Sequence, residues 1–189
     1  MPAGRGRRRS VLTLEELIAL DERLRAETFE VVSGEERDIP AIVRLINTRR
    51  MTLSLPLKFA RTEALLARSW PRVHWLLARR GDTLAGCLEL RPVEGESHVW
   101  EMGSFSQAGD NFNPRVPVKL MTAGFRKLVE LGARAAIVDV HNQNTAMWRF
   151  LGRLPFDRDG QSVEYPEFMR CRMRLRGAPE GTAPGPCAS

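Results

Sequence analysis

The chain has few of the residues that build covalent or metal-stabilised frameworks. Its three cysteines, Cys87, Cys171 and Cys187, are odd in number and widely separated among 189 residues. This pattern argues against a disulfide framework or a zinc site, and it is typical of a protein kept in a reducing compartment. We therefore expect a cytoplasmic protein that holds no metal.

Long apolar runs are also missing. No stretch approaches the ~18 apolar residues of a membrane-spanning helix. The basic start, MPAGRGRRRS, is not followed by the apolar segment of a secretory signal. We expect neither a secretory signal nor a membrane partner.

Positive charge is concentrated at one end of the chain. The net charge is +6, and four arginines within the first ten residues supply most of it, so the remaining body is only mildly basic. No groove-reading motif follows these arginines, and the four tryptophans are spread over separate elements rather than forming a stacking platform. A nucleic acid is therefore not an expected partner, although a nucleic-acid-associated protein is a third class of function.

Composition divides the chain into a body and two tails. Residues 1–10 and 177–189 are rich in glycine, proline and small residues, which cannot bury enough surface to order themselves. Residues 11–176 are long enough for a single domain with a full core. This domain is predicted to begin with an extra helix at 13–26, where Thr13 and Glu16 form a capping-box pattern.

Within the domain, segments with the hydrophobic spacing of a strand alternate with segments that have the hydrophobic spacing of a helix. We predict a strand at 29–32, a helix beginning near Asp38, and a second helix at 60–70. Gly81-Asp82 separates two extended runs, which predicts a β-hairpin. A strand, a helix ending at Gly132, a buried strand, an aromatic helix and two weaker strands (GQSVEY and FMRCRMRL) complete the order.

This order predicts an α/β (α+β) fold with a mixed, mostly antiparallel sheet and helices on both faces. A crossover helix joins the strands at 100–107 and 135–140, so these strands should be parallel neighbours. We expect them to diverge at their C-terminal ends, where Gly103 and Gly109 supply flexibility.

Three segments resemble the GCN5-related N-acetyltransferase (GNAT) superfamily. RDIPAIVRLIN is similar to the family's first strand-to-helix entry, LAGCLELRP to its hairpin, and VELGARAAIVDVHNQNTAMWRFLGRLPF to its closing strand, asparagine and helix. They stand in the family's order over roughly Phe29 to Leu175. The resemblance implies a GNAT fold with a β-α-β half that binds acyl-CoA. It also implies direct transfer of an acyl group, from acetyl-CoA or another acyl-CoA, to an amine.

The resemblance further implies where the acyl-CoA would bind. In the family, two parallel strands splay at a bulge and leave backbone groups for the pantetheine arm. The pyrophosphate rests on the N-terminus of the next helix. The matching cofactor-binding positions in this chain are Phe105, Ser106, Gln107, Arg115, Val116, Lys119 and Asn144.

The chain departs from the family at the pyrophosphate loop. The pattern (Q/R)-x-x-G-x-(G/A) falls on FNPRVP, so Arg115 and Pro117 take the two glycine positions and Phe112 takes the Gln/Arg position. Pro117 removes one N–H donor. Arg115 and Lys119 could instead supply positive charge to phosphates, or could be ordinary solvated bases at a helix start. Asn144 could contact the pantetheine arm or simply cap its helix.

The candidate catalytic residues are Glu101, as a base, and His141, as an acid or base. Glu89 is a weaker alternative base, and all three could instead be ordinary bonded residues. Leu151 takes the position of the family's usual acid, a tyrosine, and the only tyrosine, Tyr165, is expected to pack on another element. A second function therefore stays open, in which the GNAT fold has lost acyl transfer and binds a ligand or partner.

If the chain is an acyltransferase, its acceptor would be a small-molecule or peptide amine. It would enter between the first two helices and the hairpin, bordered by Arg49, Arg50 and residues 55–59. The sequence leaves open the acceptor's identity, the acyl length and the oligomeric state, for which a homodimer is one option.

Overall fold

The computed structural model describes Glu16, Ala19 and residues 29–52, 59–109, 113, 115–162 and 165–175. Glu16 and Ala19 are helical. The rest of the helix expected at 13–26 and both expected tails lie outside the described residues. None of the described helices is long and apolar enough to cross a membrane.

The described elements follow the predicted order. They are β1 (Glu30–Ser33), α1 (Ile39–Thr52), α2 (Glu63–Ser69), β2 (His74–Arg80), β3 (Thr83–Pro92), β4 (Val99–Gln107), α3 (Arg115–Glu130), β5 (Ala135–His141), α4 (Thr145–Leu151), β6 (Asp157–Gln161) and β7 (Phe168–Arg174). Gly81, with a φ of 55°, forms the tight turn between β2 and β3, as expected.

These strands form one seven-stranded sheet in the order β1-β2-β3-β4-β5-β7-β6. The β4–β5 pair is parallel, and the other five pairs are antiparallel. The prediction of a mixed, mostly antiparallel sheet is therefore confirmed.

The prediction for the penultimate strand was wrong in its bounds. GQSVEY was expected to be extended, whereas β6 occupies Asp157–Gln161 and Tyr165 lies in the loop before β7. β6 is one of the two edge strands of the sheet, and all five of its residues are exposed. Because no face of this strand is buried, its sequence carries no alternating pattern that could mark its ends.

Helices cover both faces of the sheet, as predicted. Alternate residues of β2 point to opposite faces. Leu76 and Ala78 belong to the core cluster that contains Phe125 of α3, while Leu77 belongs to the cluster that contains Ile42 of α1. The α3 face also receives the end of α4, and the other face carries α1 and α2.

Two glycines allow α3 to lie close to the sheet. A Cβ on Gly124 would lie 2.6 Å from Met102 Cε, and a Cβ on Gly86 would lie 2.6 Å from Val116 Cγ1 and 3.0 Å from the Ser106 carbonyl oxygen. Larger residues at either position would push the helix away from the strands. The start of α3 is therefore held beside the end of β4.

β4 and β5 separate part-way along their length. Their parallel pairing covers Val99↔Ala135, Trp100↔Ala136 and Glu101↔Ile137, and no later pairing between them is found among the described residues. The predicted parallel pairing and C-terminal divergence are therefore confirmed.

The divergence coincides with a bulge in β4. Between consecutive pairs of the β3–β4 ladder, β3 advances two residues while β4 advances three, from Gly103 to Ser106. Ser104 has a φ of 49°, so this serine, rather than Gly103, carries the left-handed backbone within the strand. The bulge turns β4 away from β5, in keeping with the stronger local twist that bulges introduce.

Candidate functional site

A cavity of about 290 Å³ opens where β4 and β5 separate. In an intact sheet, successive side chains of a strand point to opposite faces. Here both sets line the same cavity, so it extends into the gap between the strands. The residues of β4 and β5 that line it are Glu101, Met102, Gly103, Ser104, Phe105, Ser106, Gln107, Val138, Asp139, Val140 and His141.

Next to this gap, the described residues give β4 a strand partner only on the side that faces away from β5. Cys87↔Ser106 and Gly86↔Gln107 pair it with β3. On the side facing β5, the described residues provide no ladder beyond Glu101. Phe105, Ser106 and Gln107 therefore line the cavity along a backbone edge that an extended amide-containing ligand could pair with, as an added strand does.

Glu101 is a buried carboxylate in the wall of the cavity. It is 9% exposed and accepts hydrogen bonds from Arg91, with Nε to Oε2 at 3.1 Å and the second guanidinium nitrogen to Oε1 at 2.8 Å. Burial raises the pKa of Glu101 above its usual value, and the Arg91 guanidinium offsets only part of this effect. A carboxylate with a raised pKa is a stronger base than an exposed one.

Glu89, on the neighbouring strand β3, lies on the same face of the sheet as Glu101. It is less accessible from the cavity. It accepts a hydrogen bond from Ser104 Oγ at 2.6 Å, and it is not among the residues lining the cavity. Gly103 stands between the two acids: a Cβ there would lie 3.2 Å from Glu101 Oε1 and 3.7 Å from Glu89 Oε2. The missing side chain leaves Glu101 open to the cavity, which favours Glu101 over Glu89.

His141 and Asn144 meet at the far wall of the cavity. Asn144 Oδ1 accepts a hydrogen bond from Met147 N at 3.1 Å, so Asn144 caps α4. His141 Nδ1 accepts from Gln143 N at 3.3 Å, which places the proton of a neutral ring on Nε2. Both residues line the cavity, so the cap and any ligand contact by Asn144 are compatible.

Asp139 is a cavity residue that sequence reasoning missed. Its carboxylate accepts hydrogen bonds from Arg170 Nε at 2.9 Å and from Ser162 Oγ at 2.8 Å. Burial by itself would raise the pKa of Asp139, but these hydrogen bonds outweigh burial and hold the pKa below its usual value. A charged residue inside the otherwise apolar run AAIVDV was the available signal. Its role is to bind β5 to β7.

Comparison with known proteins identifies the fold. No protein-family model matches the chain, and no curated protein matches it in sequence. The chain is similar to the PaiA N-acetyltransferase of Thermoplasma acidophilum in complex with coenzyme A (TM-score 0.66, 13% identity, 79% of this chain and 100% of that one). It is also similar to a putative acetyltransferase of the GNAT family from Desulfovibrio desulfuricans (0.62, 14%, 78% and 98%). A third similar structure is YncA, a putative acetyltransferase of Salmonella typhimurium, with acetyl-CoA (0.64, 16%, 85% and 100%).

The chain has the GNAT fold. At these identities the likeness concerns the fold alone, so the site residues must be judged from this chain's own geometry. Among the described residues, no group of three or more histidine, cysteine, aspartate or glutamate side chains is arranged to hold a metal ion.

The start of α3, where the sequence resemblance predicted the pyrophosphate site, is tied to β4 in this structure. In the orientation that satisfies both partners, the Gln107 side-chain amide donates to the Asn113 carbonyl at 3.2 Å and accepts from Asn113 N at 2.7 Å. Asn113 Oδ1 in turn accepts from Arg115 N at 3.1 Å. Phe112, at the family's Gln/Arg position, lies outside the described residues.

The residues of α3 that were predicted to bind phosphate differ in the chemical groups that they can present to a ligand. Arg115 is exposed at the first helical position, and Lys119 lies one turn later. Val116 is 1% exposed and packs in the core, so only its backbone can reach a ligand. Pro117 is buried and has no N–H to give.

The opposite wall of the cavity comes from the α1–α2 region. Arg49, Arg50 and Phe59, which were predicted to border an acceptor, line the cavity here, while residues 55–58 lie outside the described part of the chain. Arg61, just before α2, and Phe168, at the start of β7, also line the cavity and were not predicted to do so.

Tyr165 packs as expected, but it packs in the cavity wall. Its ring lies 5.0 Å from Phe59 and 5.9 Å from Phe168, centroid to centroid. Leu151, at the position of the family's tyrosine, is 3% exposed within the core cluster that includes α3, and it does not line the cavity. The tyrosine that lines this cavity therefore lies in the loop before β7 and not in α4, where the family pattern would place it.

Proposed function

We propose that the chain is an acyl-CoA-dependent N-acyltransferase that moves an acetyl or other acyl group directly to an amine. The observation that carries this proposal is the gap between β4 and β5. There an edge of β4 that has no strand partner among the described residues runs along a cavity beside the buried carboxylate of Glu101. Two structures with the same fold hold coenzyme A or acetyl-CoA, which supports the choice of donor.

The donor would lie along the gap. Its pantetheine amides would pair with the backbone at Phe105, Ser106 and Gln107, and Asn144 would contact it from the β5 side. Its phosphates would reach the start of α3, where the helix dipole favours negative charge. There the side chains of Arg115 and Lys119 would add the positive charge that a glycine loop supplies through its N–H groups.

Glu101 and His141 would handle the protons. Glu101 would take a proton from the acceptor ammonium, directly or through water, because only the neutral amine is nucleophilic. The amine nitrogen then bonds to the thioester carbonyl carbon, and the carbon–sulfur bond breaks. The attacking nitrogen would then lose a second proton, and the leaving thiolate would gain one, through water or through a protonated His141 that returns to its neutral form. Holding both reactants in one cavity would supply much of the rate enhancement.

A second candidate is a GNAT fold that binds an acyl-CoA or a related ligand without transferring the acyl group. Two observations favour it. Leu151 is buried where the family places its acid, and Glu101 is held in a two-point ion pair with Arg91. Such a protein would bind the donor and release no thiol.

Melting-temperature and thiol-release measurements separate these candidates. Coenzyme A and acetyl-CoA should raise the melting temperature, because a ligand that binds only the folded state stabilises it. Adenosine 3′,5′-bisphosphate, which lacks the pantetheine arm, should raise it less. Thiol release from acetyl-CoA with at least one amine supports acyl transfer. A melting shift without thiol release from any amine, amino acid or basic peptide would favour the second candidate, and the absence of both would dismiss both.

A further inference from the structure

The bulge in β4 contains a serine where glycine would be the usual residue. Between the pairs Glu89↔Gly103 and Cys87↔Ser106, β3 has one residue and β4 has two. Ser104 is the first of these two, and its φ of 49° lies in the left-handed region. A Cβ makes that backbone conformation unfavourable, which is why glycine is common at such bulges. A serine there depends on contacts that hold it.

Two residues of β3 hold Ser104, one from each side of the bulge. Ser104 Oγ donates a hydrogen bond to Glu89 Oε2 at 2.6 Å, and the Cys87 thiol donates to the Ser104 carbonyl oxygen at 3.7 Å. Burial, together with the nearby Glu89 carboxylate, raises the pKa of Cys87, so this thiol keeps the proton that it donates. Both the side chain and the backbone of Ser104 are therefore fixed to β3.

Glu89 is a buried acid placed at this bulge. It is 6% exposed, and its hydrogen-bond donor among the described residues is Ser104. A buried carboxylate is costly unless it is hydrogen-bonded, so the contact stabilises both partners. Ser104 keeps its left-handed backbone, and Glu89 keeps a donor.

The bulge also determines where β4 leaves β5. A bulge bends its strand and increases the local twist. The last residue of β4 that pairs with β5 is Glu101, and residues 105–107, which follow the bulge, line the cavity. A straight β4 would continue beside β5 and close the gap. The shape of the cavity therefore depends on the conformation of Ser104.

We propose that Glu89 is a positioning residue for the acyl-CoA donor, because its hydrogen bond to Ser104 keeps the bulge formed and the gap between β4 and β5 open. Glu89 acts through Ser104, since Ser104 lines the cavity and Glu89 does not. The inference rests on the proposed function for the identity of the donor. The apparent dissociation constant for the donor is the intrinsic constant divided by the fraction of molecules in which the bulge is formed.

Substitutions at Ser104 separate the hydrogen bond from the backbone conformation. Ser104→Ala removes the hydroxyl and keeps the Cβ that opposes a left-handed φ. The dissociation constant for coenzyme A should rise about 10-fold, the lower end of the range for a hydrogen bond to a charged group. Ser104→Gly also loses the hydroxyl but adopts a left-handed φ readily, so it should bind coenzyme A more tightly than Ser104→Ala. Titration calorimetry measures both constants.

Substitutions at Glu89 test the other end of the bond. Glu89→Leu removes the acceptor and should weaken coenzyme A binding as much as Ser104→Ala does. The loss should appear in KM for acetyl-CoA rather than in kcat, because saturating donor selects the bulged conformation. Glu89→Gln keeps an oxygen that accepts from Ser104 and should recover most of the affinity. In the double variant of Ser104→Ala and Glu89→Leu, the two losses should not add, because both remove one bond.

Ser69→Ala is the matched control. Ser69 Oγ donates to the Leu66 carbonyl at 3.1 Å in α2, and Ser69 does not line the cavity. This variant loses a serine hydrogen bond away from the bulge, so it should bind coenzyme A as the wild type does. Melting temperatures of all the variants fix a titration temperature at which each is folded.

The other outcomes each overturn a defined statement. Unchanged affinity in Ser104→Ala and Glu89→Leu, with lower melting temperatures, would make the bond purely structural and overturn the inference. Binding by Ser104→Gly no tighter than by Ser104→Ala would also overturn it, even if Glu89→Leu does not fold. Weaker binding in Ser104→Ala alone would assign the hydroxyl to direct contact with the donor.

Two further results separate the inference from the proposed function. A lower kcat in Glu89→Gln at unchanged KM would make Glu89 a proton-transfer group, which overturns the positioning role and leaves the proposed function standing. Absence of both coenzyme A binding and thiol release in the wild type would overturn the proposed function and the inference with it.

Discussion

The two ends of the β4–β5 pair differ although the same two strands form both. At the paired end, residues 99–101 and 135–137 form a parallel ladder, and Val99, Ala135 and Ile137 make an apolar cluster. At the splayed end, the ladder stops and the strands enclose a cavity that contains Asp139 and His141. One end is core and the other is a candidate site.

The difference comes from what holds each strand on its outer side. β5 stays paired with β7 along its whole length, and the Asp139–Arg170 ion pair reinforces this contact beside the gap. β4 stays paired with β3 through the bulge at Ser104. Because each strand keeps its outer partner, the two can part without leaving the sheet, while the backbone groups that face the gap stay available to a ligand. A gap of this kind therefore depends on the pairing of each strand with its outer neighbouring strand more than on flexible residues.

Glu101→Gln should give the largest effect, because Glu101 is the candidate base and is the last residue of β4 that pairs with β5 before the strands separate. If it is the base, kcat for thiol release should fall by roughly 10²–10⁴-fold, while coenzyme A still raises the melting temperature. In the wild type, activity should fall as the pH drops through the pKa of Glu101, which lies above the usual glutamate value, and the variant should lack this acidic limb.

The control for this change is Glu96→Gln. Glu96 pairs with Arg172 at 2.7 Å, outside the cavity, so the same substitution there breaks an ion pair without touching the site. Full activity in Glu101→Gln would leave Glu101 as a purely structural partner of Arg91 and would move the proton chemistry to His141, Tyr165 or water.

Much of this contrast could be predicted from the sequence, for identifiable reasons. The order of elements follows from hydrophobic period and turn residues, and the parallel pairing follows from the crossover helix, since both signals are local. Asp139–Arg170 and Asn47–Arg61 could not be predicted, because each depends on residues far apart in the sequence. Leu151 illustrates the limit of a family pattern: it aligns with a catalytic position but faces the core.

Asp139→Asn tests whether the outer contact of β5 holds the splayed end together. The free energy of unfolding at neutral pH should fall by about 1.5–3 kcal/mol, the range for hydrogen bonds to a charged group, as measured by urea denaturation. Because the folded state lowers the pKa of Asp139, its ionised form stabilises the protein above the usual aspartate value, and this contribution is lost as the pH falls through the lowered pKa. The difference from wild type should therefore shrink in acid.

Asp159→Asn provides the comparison for this variant. Asp159 lies 3.7 Å from Arg172 on the exposed edge strand, so its loss should change stability much less. Equal effects of the two substitutions would mean that the Asp139–Arg170 pair does not hold the splayed end.

Arg115→Ala tests whether the start of α3 binds phosphate. If the side chain replaces a glycine loop in binding phosphate, the variant should bind coenzyme A more weakly by about 1–3 kcal/mol, and wild-type affinity should fall with added salt. Titration calorimetry with coenzyme A and dephospho-coenzyme A would separate contact with the pyrophosphate from contact with the 3′-phosphate. An unchanged dissociation constant in the variant would end the idea of side-chain compensation.

Asn144 should give the smallest effect, and it separates a structural role from a binding role within one residue. Asn144→Ala removes the cap of α4 and should lower the free energy of unfolding by about 1 kcal/mol. Asn144→Ser keeps a good capping oxygen but lacks the amide nitrogen, so its stability should stay close to that of the wild type. If the amide also contacts the donor, coenzyme A should bind more weakly to both variants, although only the alanine variant is less stable. If affinity is instead unchanged in the serine variant, capping is the whole role of Asn144, and the donor is held on the β4 side of the gap.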